Sequence, residues 1–96
     1  MMKSKYTIYA EYVNKNARDF MASFFLTYDH TLTKGLGYFD GIQEKSMRID
    51  IIMDDELYED RQRLMDDLKE FNRQFCLRYN QKCIFVTRSK VEIIKF

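Results

Sequence analysis

The stretch that decides the fold is EKSMRIDIIM, residues 44–53. Apolar residues alternate with polar ones from Met47 to Met53, which is the period-two pattern of a strand with one buried face. Arg48 and Asp50 point to the opposite face, together with Ile52. Residues 5–13 alternate in the same way but carry large apolar groups on both faces. We therefore predict a second strand there, central in its sheet and covered on both faces.

Two segments beside these strands have the spacing of amphipathic helices. The first covers residues 17–28 and follows Asn14 or Asn16, either of which can cap a helix. Its apolar stripe contains Ala17, Phe20, Met21, Phe24 and Tyr28. The second opens at the acidic run of residues 54–56, which favours the positive end of a helix dipole. Its apolar stripe, spread over several turns, contains Leu57, Leu64, Leu68, Phe71 and Phe75.

The remaining segments are shorter. Residues 30–34 are polar and predict a loop, and residues 35–41 hold the three glycines of the chain around a further short strand. Asp40-Gly41 is typical of a hairpin turn. After the second helix, residues 83–87 are apolar and predict a strand, residues 88–90 predict a turn, and residues 91–96 alternate as a last strand.

This order of elements predicts an α+β fold. It is β-α-β-β-α-β within a single domain of 96 residues, and it matches a ferredoxin-like split βαβ arrangement. In that arrangement two helices cover one face of an antiparallel sheet. The other face is then open, or covered by a partner.

Composition excludes several classes of protein. With 16 basic and 15 acidic residues and a net charge of +1, the chain lacks the basic excess of a phosphate-binding nucleic-acid protein. The longest uncharged stretch, residues 20–28, is far shorter than the roughly 20 residues of a membrane span. We therefore expect a cytoplasmic protein that contacts no membrane and carries no cofactor.

Candidate metal-binding and reactive residues are few. Cys76 and Cys83 are expected to be small buried hydrophobes, although a disulfide between them is geometrically conceivable. Their spacing is not that of a zinc site. The lone histidine, His30, is expected in a loop with no marked catalytic partner.

The acidic residues Asp50, Asp54, Asp55 and Glu56 form the other candidate cluster. Carboxylates can bind Mg²⁺ when they converge with a substrate phosphate. Helix capping accounts for three of these residues without a metal, and we expect no metal site.

The hairpin region resembles that of small uncharacterised bacterial and phage proteins. The resemblance lies in GLGYFDGIQEKS, residues 35–46, and continues in QKCIFV, residues 81–86. These proteins share a glycine-aromatic-x-glycine-x-x-Glu-x-Ser hairpin followed by an amphipathic helix. The resemblance does not extend to the N-terminal helix. It implies the same fold and a phage or mobile-element origin, and it transfers no activity.

Aromatic side chains on the predicted strands give the functional prediction. If the helices cover one face, some of these side chains lie on the other face, where exposed aromatics indicate an interface. They are Tyr6, Tyr9, Tyr12, Tyr38 and Phe39. We predict a non-enzymatic module that binds an unidentified host protein, as a phage-type inhibitor or accessory factor, and that can form a homodimer through its sheet.

Two alternatives use the hairpin. Lys45 and Arg48 can meet an anion, as in ligand-binding regulatory domains of the ACT type. The run KGLGYF, residues 34–39, partly matches an RNA-recognition signature, which predicts binding of single-stranded nucleic acid.

Overall fold

The structure is a computed structural model that describes residues 2–39, 42–81 and 84–94. Its elements, in chain order, are β1 (Met2–Glu11), α1 (Lys15–Phe24), β2 (His30–Phe39), β3 (Ile42–Asp54), α2 (Tyr58–Tyr79) and β4 (Phe85–Glu92). This β-α-β-β-α-β order confirms the predicted α+β fold class. None of the described helices has the length and apolarity needed to cross a membrane.

The four strands form one sheet in the order β2-β3-β1-β4. Every neighbouring pair is antiparallel. The strand β1 is therefore central, as its apolar residues on both faces predict. Since β1 lies between β3 and β4, each helix connects two parallel strands that are separated by a third strand, which is a split β-α-β connection.

The core lies between the two helices and one face of the sheet, called here the helix-side face. In the register of β1 with β3, Ile8 is opposite Ile49 and Ala10 is opposite Met47, and all four are buried. Because successive strand residues alternate between faces, these pairs place one row of side chains under the helices. The opposite face of the sheet is called the open face.

Phenylalanine rings fill the space between the helices. Phe71 of α2 is fully buried. Its ring centroid lies 5.0 Å from that of Phe25, 5.3 Å from that of Phe24 and 5.7 Å from that of Phe20. Aromatic pairs at these separations add to the stabilisation from burial alone.

The helix α1 begins at Lys15, slightly before the predicted start at residue 17, and it ends earlier than predicted. Asn14 Oδ1 accepts a hydrogen bond of 2.8 Å from the Ala17 amide, which confirms Asn14 as the N-cap. The helix ends at Phe24, rather than at the predicted Tyr28. The chain then forms turns in which the amide of Leu26 donates to the carbonyl of Ser23 and the amide of Tyr28 donates to that of Phe25. The side chain of Tyr28 nevertheless remains buried.

The helix α2 begins later than predicted. The predicted acidic cap does not form, because Asp54 still belongs to β3 and its Oδ1 accepts a 3.0 Å hydrogen bond from the Glu56 amide. The helix begins at Tyr58. It ends at Tyr79 and is followed by the capping residue Asn80, whose φ of 54° is the left-handed conformation that asparagine tolerates better than most residues.

Two predicted irregular segments are strands. Residues 30–34, predicted as a loop, pair with β3 at the edge of the sheet. Residues 88–90, predicted as a turn, continue β4, so that residues 85–92 form one strand along β1 instead of two. Both are edge strands, where polar side chains reach solvent and hide the strand pattern. Asp40, Gly41 and Cys83 lie outside the described residues, and so do the predicted turn and disulfide.

Replacing Phe71 by alanine should lower the free energy of unfolding by about 3–5 kcal/mol, because it leaves a cavity among the rings that surround it. The measurement is urea unfolding followed by circular dichroism. The matched control is Leu77→Ala on the same helix, where the side chain is 75% exposed and the change should stay within about 0.5 kcal/mol. Equal losses in the two variants would contradict this core.

Candidate functional site

A groove between α2 and β4 is the candidate site, and we call it the α2–β4 groove. Its volume is 370 Å³, within the range of about 300–1,000 Å³ of small-molecule sites. The groove exists because α2 leaves the edge strand uncovered, so that Val86 on the helix-side face is 38% exposed. It is lined by Tyr6, Tyr58, Arg61, Gln62, Met65, Val86, Thr87 and Arg88.

The helix contributes one polar stripe to the groove. Tyr58, Arg61, Gln62 and Met65 follow the three- and four-residue spacing that places side chains on one face of a helix. The Arg61 guanidinium carbon lies 5.7 Å from the centroid of the Tyr58 ring, a cation–π distance. Arg61 Nε is buried and has no hydrogen-bond partner among the described residues. The groove therefore contains a positively charged donor that no described group satisfies.

The strand β4 contributes Arg88. In the sheet register Arg88 is opposite Tyr6, and its guanidinium carbon lies 6.0 Å from the Tyr6 ring centroid. Its Nε donates a 3.3 Å hydrogen bond to Ser4 Oγ. Each arginine of the groove is therefore placed beside a tyrosine ring, one on the helix and one on the sheet.

A polar chain behind Arg88 fixes its surroundings. The hydroxyl of Ser4 is fully buried and donates a 2.5 Å hydrogen bond to Asp55 Oδ1. The other carboxylate oxygen, Oδ2, accepts a 2.7 Å hydrogen bond from the Lys90 ammonium. The bonds from Lys90 and then from Ser4 hold the pKa of Asp55 below its ordinary value, because both stabilise the ionised carboxylate.

Two other depressions in the described part of the chain are less suited to a ligand. A depression of 580 Å³ lies between the start of α1 and the end of α2 and is lined by a single arginine among the described residues, Arg78, whose guanidinium lies 4.3 Å from the Phe20 ring, whereas the α2–β4 groove is lined by two. A hollow of 300 Å³ lies at the base of the β2–β3 hairpin. There the Lys34 ammonium lies 4.7 Å from the Tyr12 ring.

The predicted binding residues are not brought together. Tyr6 is buried at the α2–β4 groove, so it is not the exposed aromatic that was expected. Tyr9 lies on the open face, with its ring 5.9 Å from that of Phe85. Tyr12 lies at the hairpin base. Successive strand residues point to opposite faces, which separates Tyr9 from Tyr6, whereas Tyr12 follows the end of β1, at the hairpin base.

The basic pair at the hairpin is also divided between the faces. Lys45 is exposed in the hollow at the hairpin base. Arg48 is on the open face, where its Nε lies 3.3 Å from Asp50 Oδ2. The side chains of Tyr38 and Phe39 lie outside the described part of the structure. An interface formed by any of these residues remains a prediction.

The acidic cluster and the histidine have structural contacts. Asp50 accepts a 2.6 Å hydrogen bond from Thr7 on the open face, whereas Asp55 lies beside Lys90 on the helix-side face. No group of three or more potential metal ligands is found in the residues that the structure describes. His30 Nδ1 lies 2.7 Å from the Tyr28 carbonyl oxygen.

Sequence reasoning did not identify the α2–β4 groove. Arg88 fell in a segment predicted as a turn, and a turn gives no reason to place its side chain under a helix. The stripe of residues 58, 61, 62 and 65 has helical spacing, which is the one pattern that indicated it. That spacing does not reveal that β4 runs beside α2 without being covered by it, and this arrangement forms the groove.

Comparison with known proteins yields a structural match. No family model matches the chain, and no curated protein does. Solved structures that match it include a phage SAM lyase in complex with S-methyl-5'-thioadenosine, with a TM-score of 0.53 and 11% sequence identity. The match covers 91% of this chain and 80% of the lyase chain. At this identity the likeness shows a shared fold.

This match corrects the functional prediction. The chain was predicted to be a non-enzymatic protein-binding module, and the structural neighbour is an enzyme. That prediction rested on the size of the chain, on the strand aromatics and on the lack of a familiar catalytic motif, and the match to an enzyme contradicts it. Catalysis by positioning and electrostatics requires no short motif, so the lack of one excluded less than was assumed.

Replacing Asp55 by asparagine should make the free energy of unfolding less dependent on pH in the acidic range. The pKa of Asp55 is lowered in the folded state, so its contribution is present above the ordinary pKa of about 4 and is lost as the pH falls through the folded-state pKa. The free energy of unfolding, measured by urea denaturation at a series of pH values below about 5, should fall less steeply in the variant than in the wild type.

The control for this experiment is Asp29→Asn. Asp29 is exposed and makes no hydrogen bond or ion pair within the described ranges, so this variant should keep the wild-type slope. An Asp55→Asn variant with the wild-type slope would show that the contacts with Ser4 and Lys90 do not stabilise the fold.

Proposed function

We propose that this protein binds S-adenosylmethionine in the α2–β4 groove and cleaves it, releasing S-methyl-5'-thioadenosine. The observation that carries the proposal is the lining of the groove, in which two arginines lie beside two tyrosine rings within 370 Å³. The fold supports it, since the matching phage SAM lyase has S-methyl-5'-thioadenosine bound. Aromatic rings suit the purine of such a ligand, and guanidinium groups suit its carboxylate.

The adenosine part is assigned to the exposed end of the groove. Tyr58 is 67% exposed, so its ring can stack on a purine. Such stacking contributes about 1–3 kcal/mol per base. The side-chain amide of Gln62, one turn further along α2, has both donor and acceptor atoms for the edge of the purine. Together these groups give the groove a site for a flat aromatic ligand.

The electrostatics of the groove favour cleavage at sulfur. S-Adenosylmethionine carries a positive sulfonium, and release of S-methyl-5'-thioadenosine breaks the bond from this sulfur to the amino-acid chain. Both electrons of that bond go to sulfur, which becomes a neutral thioether, while a carboxylate oxygen of the ligand's own amino-acid end attacks the carbon that sulfur leaves and closes a lactone. Arg61 and Arg88 remain charged at any ordinary pH, and their positive potential disfavours the sulfonium more than the transition state, in which that charge is being lost.

The chemistry of the leaving group determines which kinds of residue the site needs. A thioether departs as a neutral molecule, so it needs no proton from a general acid. The single histidine is accordingly not required at the groove, and His30 lies instead against the Tyr28 carbonyl. The protein's part in this reaction is to exclude water, orient the ligand and hold fixed charges near sulfur.

The proposal predicts that S-methyl-5'-thioadenosine binds the purified protein and that Tyr58→Ala weakens its binding about tenfold, which corresponds to loss of about 1.4 kcal/mol of stacking. Isothermal titration calorimetry measures the affinity. Incubation with S-adenosylmethionine followed by mass spectrometry tests release of S-methyl-5'-thioadenosine and identifies the amino-acid fragment.

The matched control is Phe85→Ala, since Phe85 is a 59% exposed aromatic residue that faces away from the groove, beside Tyr9. It should leave the affinity unchanged. If the wild-type protein neither binds S-methyl-5'-thioadenosine nor releases it from S-adenosylmethionine, the proposed function is wrong. If Phe85→Ala weakens binding and Tyr58→Ala does not, the ligand binds on the open face.

A further inference from the structure

We infer that Arg61 and Arg88 form a carboxylate-binding subsite within the α2–β4 groove, and that Ser4 and Asp55 position Arg88 in it. The inference rests on the proposed function and states which part of the ligand this pair of residues binds. That part is the amino-acid end of the ligand, which S-methyl-5'-thioadenosine lacks.

Arg61 provides the first half of the argument. Its Nε is buried without a hydrogen-bond partner in the described part of the chain, and a buried donor left unsatisfied is costly. A ligand carboxylate in the groove can accept from a terminal nitrogen of this guanidinium and, once the side chain turns to uncover Nε, from both nitrogens in the paired geometry that arginine favours. A bound carboxylate would therefore satisfy a group that the described residues leave unpaired.

Arg88 provides the second half. Its Nε is occupied by Ser4 and its guanidinium lies beside the Tyr6 ring, so the side chain is restrained while its terminal nitrogens remain available for a ligand. Within the described residues, no carboxylate lies at salt-bridge distance from Arg61 or Arg88. Two charged groups thus line one groove without a direct ion pair in the described part of the chain, and Asp55 acts on Arg88 only through Ser4 and through space.

The polar chain behind Arg88 explains its orientation. A serine hydroxyl has one hydrogen and two lone pairs. Ser4 gives its hydrogen to Asp55 Oδ1, so its lone pairs are left to accept from Arg88 Nε. Lys90 occupies the other oxygen of Asp55, which keeps that carboxylate from drawing Arg88 out of the groove. Ser4 and Asp55 are therefore positioning residues that act through Arg88.

The test compares two unreactive ligands that differ at the amino-acid end. S-Adenosylhomocysteine carries the carboxylate, S-methyl-5'-thioadenosine does not, and both are neutral thioethers that avoid turnover during titration. Arg61→Gln and Arg88→Gln should each weaken S-adenosylhomocysteine about 10- to 100-fold, the loss expected for a hydrogen bond between charged groups. The affinity for S-methyl-5'-thioadenosine should change less than about twofold by the same reasoning, because no such bond is lost.

Arg73→Gln is the matched control, because Arg73 pairs with Glu70 on an exposed part of α2 and should alter neither affinity. For the positioning residues, Ser4→Ala and Asp55→Asn should lower the preference for S-adenosylhomocysteine over S-methyl-5'-thioadenosine. A merely structural role would weaken both ligands alike and leave their ratio unchanged.

The outcomes distinguish failure of the proposed function from failure of the carboxylate subsite. Wild-type protein that binds neither ligand overturns the proposed function. Wild-type protein that binds both ligands, with arginine variants that weaken both equally or neither, retains the proposed function and overturns the carboxylate subsite. Selective loss of S-adenosylhomocysteine in Arg61→Gln and Arg88→Gln supports the subsite. An unchanged ratio in Ser4→Ala and Asp55→Asn would overturn the positioning role alone.

Discussion

The pairing of β1 with β3 on one side and with β4 on the other is the constraint on which the rest of the structure depends. It aligns the buried residues of two strands, so that Ile8 meets Ile49 and one apolar face results. A shift of one residue would move those side chains to the open face. The helix α2 connects β3 to β4, and β1 lies between these two strands. The helix therefore crosses over β1, the strand whose buried residues form part of the core.

The candidate site follows from this crossing. The apolar face of α2 is used on the core through Leu64, Leu68, Phe71 and Phe75, which leaves β4 at the edge without cover. An edge strand beside a helix creates a long depression, and the residues that border it are free to be polar. Tyr58 and Arg61 from the helix and Arg88 from the strand occupy that border. The groove is thus a consequence of the packing that builds the core.

The sequence predicts the central elements better than the edges, for a physical reason. The strand at residues 44–53 and the stripe from Leu64 to Phe75 are half-buried, so burial imposes a period that can be recognised. The segments at residues 30–34 and 88–90 form edge strands whose exposed side chains follow no such period, and both were predicted as irregular. The candidate site could not be predicted for a related reason, because Arg88 lies in one of these edge strands and approaches Arg61 only through the fold.

The prediction that the chain is not an enzyme failed for a different reason. A search for catalytic motifs finds chemistry that needs a nucleophile, a base or a metal at fixed spacing. In the proposed reaction the protein need supply none of these, since the sulfonium is already an activated leaving group and the ligand's own carboxylate can act as the nucleophile. For that reaction a protein would supply a fixed positive potential and a restrained orientation of the ligand. Under the proposed function, Arg88, which is restrained between Ser4 and Tyr6, would supply both from residue types that are common on protein surfaces. Such a site has no sequence signature, and only its three-dimensional arrangement distinguishes it from an ordinary charged edge.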